Sequence, residues 1–193
     1  NTAGTTIFGG VVGGGTALTS VTTDSAGTAQ INGGAVTTTG AQTYNEAVTL
    51  GANTTLTSTG GGNITLASTV DGAFDLVVNT SGTGTFGGAV GGTSALVSVT
   101  TDATGTTAIN GGSVKTTGSQ TYNDDVVLGA DATLTSTSNG DIIFNGLVDG
   151  GFNLTVNTAG GTFFNAVVGG GTALTSVTTD APGTTDINGG AVT

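Results

Sequence analysis

The chain has 193 residues, of which 35% are hydrophobic, 5% aromatic and 7% charged. Twelve acidic residues stand against a single basic one, Lys115, for a formal net charge of −11, which excludes the Lys and Arg clusters that grip nucleic-acid phosphates or an anionic membrane surface. Cysteine and histidine are absent, so there are no disulfides and no Cys–His or Ser–His pair for nucleophilic chemistry.

With 44 threonines and 38 glycines, the chain is rich in a β-branched residue suited to pleated surfaces and in the residue that turns corners. An all-β fold follows. No apolar stretch is long enough to span a bilayer as a helix, and no signal peptide is visible. The lack of Cys, Met and Trp leaves little to oxidise and fits an extracellular life. The sequence starts at Asn1 and stops inside a repeated phrase, so it reads as an excerpt from a longer chain.

Taken from the N-terminus, the chain restates itself with a 78-residue period: "NTAGTTIFGG" at 1, "NTSGTGTFGG" at 79 and "NTAGGTFFNA" at 157. "SVTTD" recurs at 20, 98 and 176, and "INGG" at 31, 109 and 187. The units are residues 1–78, 79–156 and a partial 157–193, a strong signature of a repeat architecture. A shorter period lies inside each unit. Val12, Ile31, Leu50, Val70, Val90, Ile109, Leu128, Val148, Val168 and Ile187 follow one another in 19- or 20-residue steps. Beside them runs a second series, Leu18, Leu56, Leu76, Leu96, Leu134, Leu154 and Leu174, whose place in the INGG coils passes to Val36, Val114 and Val192. Aromatic residues recur as Phe8, Phe86 and Phe164, as Tyr44 and Tyr122, and as Phe74 and Phe152. They keep company with core-like phrases, so burial is expected.

This pattern predicts a parallel β-solenoid (β-helix) of 19–20-residue coils, four to each 78-residue unit, forming one continuous body. Equivalent residues then stack through main-chain hydrogen bonds at about 4.8 Å per coil, giving a rod of roughly 45 Å in which each unit advances roughly 19 Å. Ile109 is expected above Val90 and beneath Leu128. A row of β-sandwiches is the rival, but sandwiches have no reason to show a 19–20-residue sub-period.

The phrases "SVTTD-x-x-GT", "INGG-x-V", "TYN-x-x-V", "LGA" and "L-x-V-N-T" resemble the repeat regions of giant bacterial surface proteins of the filamentous-haemagglutinin-like, β-strand-repeat type. The resemblance covers the whole chain. It implies export from a Gram-negative cell and a long β-helical stalk used for adhesion or for building a fibre.

Candidate chemistry is sparse. Adjacent Asp124 and Asp125 invite a carbohydrate-cleaving pair, but neighbours on a strand point to opposite faces and the previous copy reads Glu46-Ala47. A solvated acidic edge is the simpler reading. No catalytic, cofactor or metal residue is assigned. Calcium is the better metal candidate, through Asp24, Asp102 and Asp180 or through Asp71 and Asp149. Each series, however, is expected only once per unit, too far apart to share an ion, and turn solvation is the default. "VVGGGTAL" at 11–18 and "STGGGNIT" at 58–65 lack the phosphate-loop Lys and a following helix. Flat ranks of Thr raise ice binding, yet "FDLVVN" at 74–79 interrupts them with Asp75, Val77 and Asn79.

The expected function is therefore a non-enzymatic structural rod or fibre of an extracellular bacterial adhesin or filament. Its partners are further copies of the same repeat, in the same or identical chains. The alternative is a module whose face binds glycan or host protein, for which an exposed aromatic row is the expected mark.

Overall fold

The computed structural model describes residues 3–193; Asn1 and Thr2, which open the first repeat, lie outside the described residues. Among the described residues there are twenty-three strands and no helix, and every strand pairing is parallel. The chain winds as a β-solenoid with three faces visited in a fixed order, here A, B and C. Face A carries Thr5–Phe8, Thr28–Ile31, Ala47–Leu50 and Val70–Asp71, then Ser113–Thr116, Ala132–Ser136, Asn153–Asn157 and Ser176–Thr179. Face B runs from Ala35–Thr38 to Thr184–Ile187, and face C from Val21–Thr22 to Val148–Asp149.

Strands form here because Thr, Val and Ile alternate with period 2. Along Thr54–Ser58, for example, Thr54, Leu56 and Ser58 are buried while Thr55 and Thr57 face out. The core is one column of mostly aliphatic side chains, joined by Tyr44, Phe86, Tyr122, Phe144 and Phe164, that runs the length of the solenoid. Glycine shapes the corners where the next coil leaves no room. In INGG, a Cβ on Gly111 would collide with the carbonyl of Gly88 in the coil below, and Gly112 has φ +69°. Asn110 of the same phrase fills the space over Gly129, where an added Cβ would run into its Oδ1. INGG and LGA are thus the two halves of one interlocking corner.

The coils are longer than the sequence suggests. One unbroken face-A column is Thr6, Ala29, Val48, Val70, Val90, Val114, Leu134, Val156 and Thr179, eight turns of unequal length. The turn averages about 22 residues, not 19–20. Ile31 does pair with Leu50, Val70 with Val90, Ile109 with Leu128 and Val148 with Val168. Below Ile109, however, lies Phe86 rather than Val90, which pairs instead with Val114, and Val12 pairs with Val36. The 19–20-residue spacing is real but joins alternating pairs, because corners of different length intervene. The second series fares likewise: Val36 stacks on Leu56 and Val114 on Leu134, but Leu56 pairs with Val78 rather than Leu76.

The longer turn changes the meaning of the repeat. From Thr5–Phe8 on face A to its counterpart Thr83–Phe86 on face C the chain makes eleven face-to-face steps, which is three and two-thirds turns. The third counterpart, Gly161–Phe164, lies on face B. Each 78-residue unit is therefore displaced by one face from the last and advances about 18 Å, and eight turns measure about 38 Å. Phe8, Phe86 and Phe164 consequently never stack on one another. In every unit one crossing of a face carries no full strand and is held by isolated bridges, at Val12, Val90 and Val168.

Candidate functional site

No cavity occurs among the described residues. The corners are acidic, and their carboxylates accept hydrogen bonds from the neighbouring coil. Asp71 Oδ1 accepts the amides of Thr93 (2.8 Å) and Ser94 (2.9 Å), and Asp149 Oδ1 those of Gly171 and Thr172. Asp102 and Asp180 receive Thr80 N and Thr158 N; for Asp24 the corresponding residue, Thr2, lies outside the described residues. At other corners aspartate exchanges with asparagine between repeats at no loss of the bond. Asn53 accepts Asp75 N as Asp131 accepts Asn153 N, and Asn63 accepts Thr83 N as Asp141 accepts Gly161 N. Ser98 Oγ donates to Asp75 where Ser176 Oγ donates to Asn153. What these corners require is an acceptor oxygen, with or without its charge. The Asp71 and Asp149 corners also stand on different faces, A and C. Among the described residues no three acids cluster closely enough to hold an ion. The amide and side chain of Asn153 hold the Asp131 carboxyl below its ordinary pKa of 3.8.

Asp124 departs from the expected solvated edge. It is 5% exposed and turned inward, while Asp125 faces solvent and accepts Leu147 N. Thr101 Oγ1 donates to Asp124, and Thr107 Oγ1 approaches both carboxylate oxygens at 2.9 and 2.8 Å. Burial raises the Asp124 pKa, the two threonine bonds lower it, and the net shift is upward. Its counterpart Glu46 is 2% exposed, with neither carboxylate oxygen hydrogen-bonded. One coil below, where the second repeat has Thr107, the first has Ala29, which has no hydroxyl, and Thr23, in the place of Thr101, makes no bond to Glu46. The sequence held this signal in the paired change of Ala29 with Glu46 and Thr107 with Asp124, which only a position-by-position comparison of copies brings out.

A second buried polar unit also escaped the reading from sequence. Gln120 Nε2 donates to Val114 O, Thr116 Oγ1 and Thr135 O, while its Oε1 accepts the Tyr122 hydroxyl at 3.0 Å. Gln42 and Tyr44 repeat the arrangement. Every polar atom of these glutamines is satisfied, which removes the desolvation cost of burying them. Burial drives both tyrosine hydroxyls far above their usual pKa.

The outward columns are mixed. On face C, Thr22, Thr43, Thr65 and Thr85 stand in register, but the column continues with Ala108, Val127 and Asp149. Asp75, Val77 and Asn79 face out and break the threonine rank on face B. The matching column of the second repeat, also on face B, reads Thr100, Thr121, Ile143 and Phe163. Phe163 is the outward aromatic that sequence reasoning passed over. Tyr44, Tyr122, Phe86 and Phe164 are buried as expected, whereas Phe152 is 37% exposed.

Comparison with profiles of known protein families, with curated proteins and with solved structures found no match for this chain.

Proposed function

We propose that this chain is part of a non-enzymatic structural rod or fibre, extracellular and bacterial, of the adhesin or filament kind to which its repeat phrases are similar. The observation that carries the reading is the continuous face-A column from Thr6 to Thr179, whose inner members Val70, Val90 and Val114 are wholly buried between the coils below and above. Burying such a side chain stabilises by about 1.5–3 kcal/mol, so each coil is completed by its neighbours and the fold favours extension. Corner acids engaged by backbone amides, and aromatics largely turned inward, support a load-transmitting role over a chemical one. Imaging of the native assembly tests this. Rods with an axial period of about 18 Å per repeat unit, on coils spaced about 4.8 Å apart, are the expected result; compact monomers with blocked ends would count against it.

The outward pair Ile143 and Phe163, in register on face B, favours a second reading, a face that binds glycan or host protein. A glycan array probed with the chain separates the two, since specific binding lost on Phe163→Ser supports the module and silence supports the rod.

A further inference from the structure

Five asparagines of the chain precede a glycine: Asn32, Asn110, Asn139, Asn145 and Asn188. With no side chain to screen it, a glycine nitrogen can attack the side-chain carbonyl carbon of the asparagine before it. The attack needs two freedoms. The glycine N–H must leave its hydrogen bond, and the asparagine amide must turn toward it.

The solenoid withholds one or both from four of the five. Gly33, Gly111 and Gly189 donate their amides to Phe8 O, Phe86 O and Phe164 O in the coil below, at 2.9–3.1 Å. Asn32 and Asn110 also lie with Oδ1 against Gly51 and Gly129. Asn145 is clamped in the ladder, where it donates to Asn123 and accepts from Asn165, and Asn188 donates to Asn165. Asn139 is held by none of these. It stands exposed in the turn between Ala132–Ser136 and Ile142–Phe144, and its side chain makes no hydrogen bond among the described residues. Its φ of +63° makes it the one described non-glycine residue in the left-handed region. Gly140 N is tied only to the Ser136 hydroxyl, at 2.9 Å. In the first repeat the same turn carries Gly61, φ +76°, in the place of Asn139, and Gly62 N donates to Ser58 Oγ. The turn therefore forms without an amide side chain, and the second repeat adds one that nothing restrains.

We propose that Asn139 is a site of spontaneous modification, the first asparagine of the folded chain to deamidate. Gly140 N attacks Asn139 Cγ and gives up its proton, the side-chain nitrogen leaves as ammonia, and a five-membered succinimide closes. Water then opens one of its two carbonyls, giving aspartate or isoaspartate at position 139. The balance is amide plus water to carboxylate plus ammonium, and the net charge moves from −11 to −12. This stands apart from the rod reading, since a chain that formed no rods would age in the same way.

The test incubates the full chain in mildly alkaline buffer and maps it with a broad-specificity protease and mass spectrometry, with isoelectric focusing alongside. A gain of one mass unit is expected at Asn139 about tenfold faster than at any other pair, the rate worth of the one or two hydrogen bonds that hold the others. The same incubation in urea should spread the gain over all five pairs. Asn139→Gly, which installs the residue of the first repeat, should remove the early acidic band, with circular dichroism checking its fold. Earlier modification of any of the other four in the folded chain, equal rates at all five, or no gain at Asn139 while the unfolded chain reacts would overturn the proposal.

Discussion

Tyr44, Leu66 and Phe86 on face C and Tyr122, Phe144 and Phe164 on face B hold the same three inner positions of successive repeats. In the second column the rings stack: Tyr122 and Phe144 have centroids 5.3 Å apart at 11°, and Phe144 and Phe164 5.1 Å apart at 2°. In the first, Leu66 separates the two rings, and Tyr44 instead meets Phe8 edge-on across the core at 6.1 Å. The corner beside the second column carries an asparagine ladder in which Asn145 donates to Asn123, Asn165 to Asn145 and Asn188 to Asn165, at 2.7–2.8 Å. Ala67 and Gly87 interrupt it in the first repeat. The outer face changes in step, from Thr65 and Thr85 to Ile143 and Phe163. Two repeats of one backbone thus differ column by column. A side chain's stacking partners lie a full coil away in sequence, so a column changes character only when residues that far apart change together.

Removing the central ring should have the largest effect. Phe144→Ala is expected to cost about 3–5 kcal/mol, as a large cavity in a stack of rings, and more than Leu66→Ala; urea midpoints measure both. Thr107→Ala should cost about 1.5–3 kcal/mol, because it leaves Asp124 buried with one hydroxyl fewer, while Ala29→Ser in the first repeat should be less harmful, since it offers the Glu46 carboxylate a small hydroxyl. A change at Asn145 should be milder. Asn145→Ala breaks the ladder at two bonds and should lower stability by about 1–2 kcal/mol, with hydrogen exchange accelerating first at residues 145 and 165. The converse change, Ala67→Asn, places a donor above Asn45 and should slow exchange there.

The smallest difference is one of pH. Asp124 has its folded-state pKa raised above 3.8, so the folded chain takes up its proton first. This group's contribution is fully present below pH 3.8 and is lost as pH rises through the folded value. Asp131 is shifted the other way; its contribution is present above pH 3.8 and is lost as pH falls through its lowered folded value. Its counterpart in the first repeat, Asn53, does not titrate. Asp124→Asn should flatten the acid-side rise in a pH series of thermal midpoints, and Asp131→Asn should remove the loss below pH 3.8.

Much of this was legible in the residues. Threonine and valine in alternation, glycine at corners and an exact 78-residue echo lead to parallel stacked coils. Pairs such as Ile31 with Leu50 and Ile109 with Leu128 follow from the spacing, because each spans a single short coil. The remaining pairings did not follow, since the corners differ so much in length. One is as short as two residues, between Tyr44 and Ala47, while another stretch crosses a whole face on bridges at Val90 and Leu96 without forming a strand. The acid at 124 was misplaced for a similar reason: an aspartate beside another aspartate reads as surface until the coil below supplies two hydroxyls.

By itself, then, the sequence determined that the chain is a repeated, all-β, acidic solenoid, because local alternation and self-similarity need no knowledge of neighbours. Tertiary structure alone decided that each repeat occupies three and two-thirds turns, which rings touch and which carboxylates are buried. Those depend on which segments span a face and which form its corners, and because corners of unequal length are absorbed within one column, sequence spacing alone does not place a residue on a face.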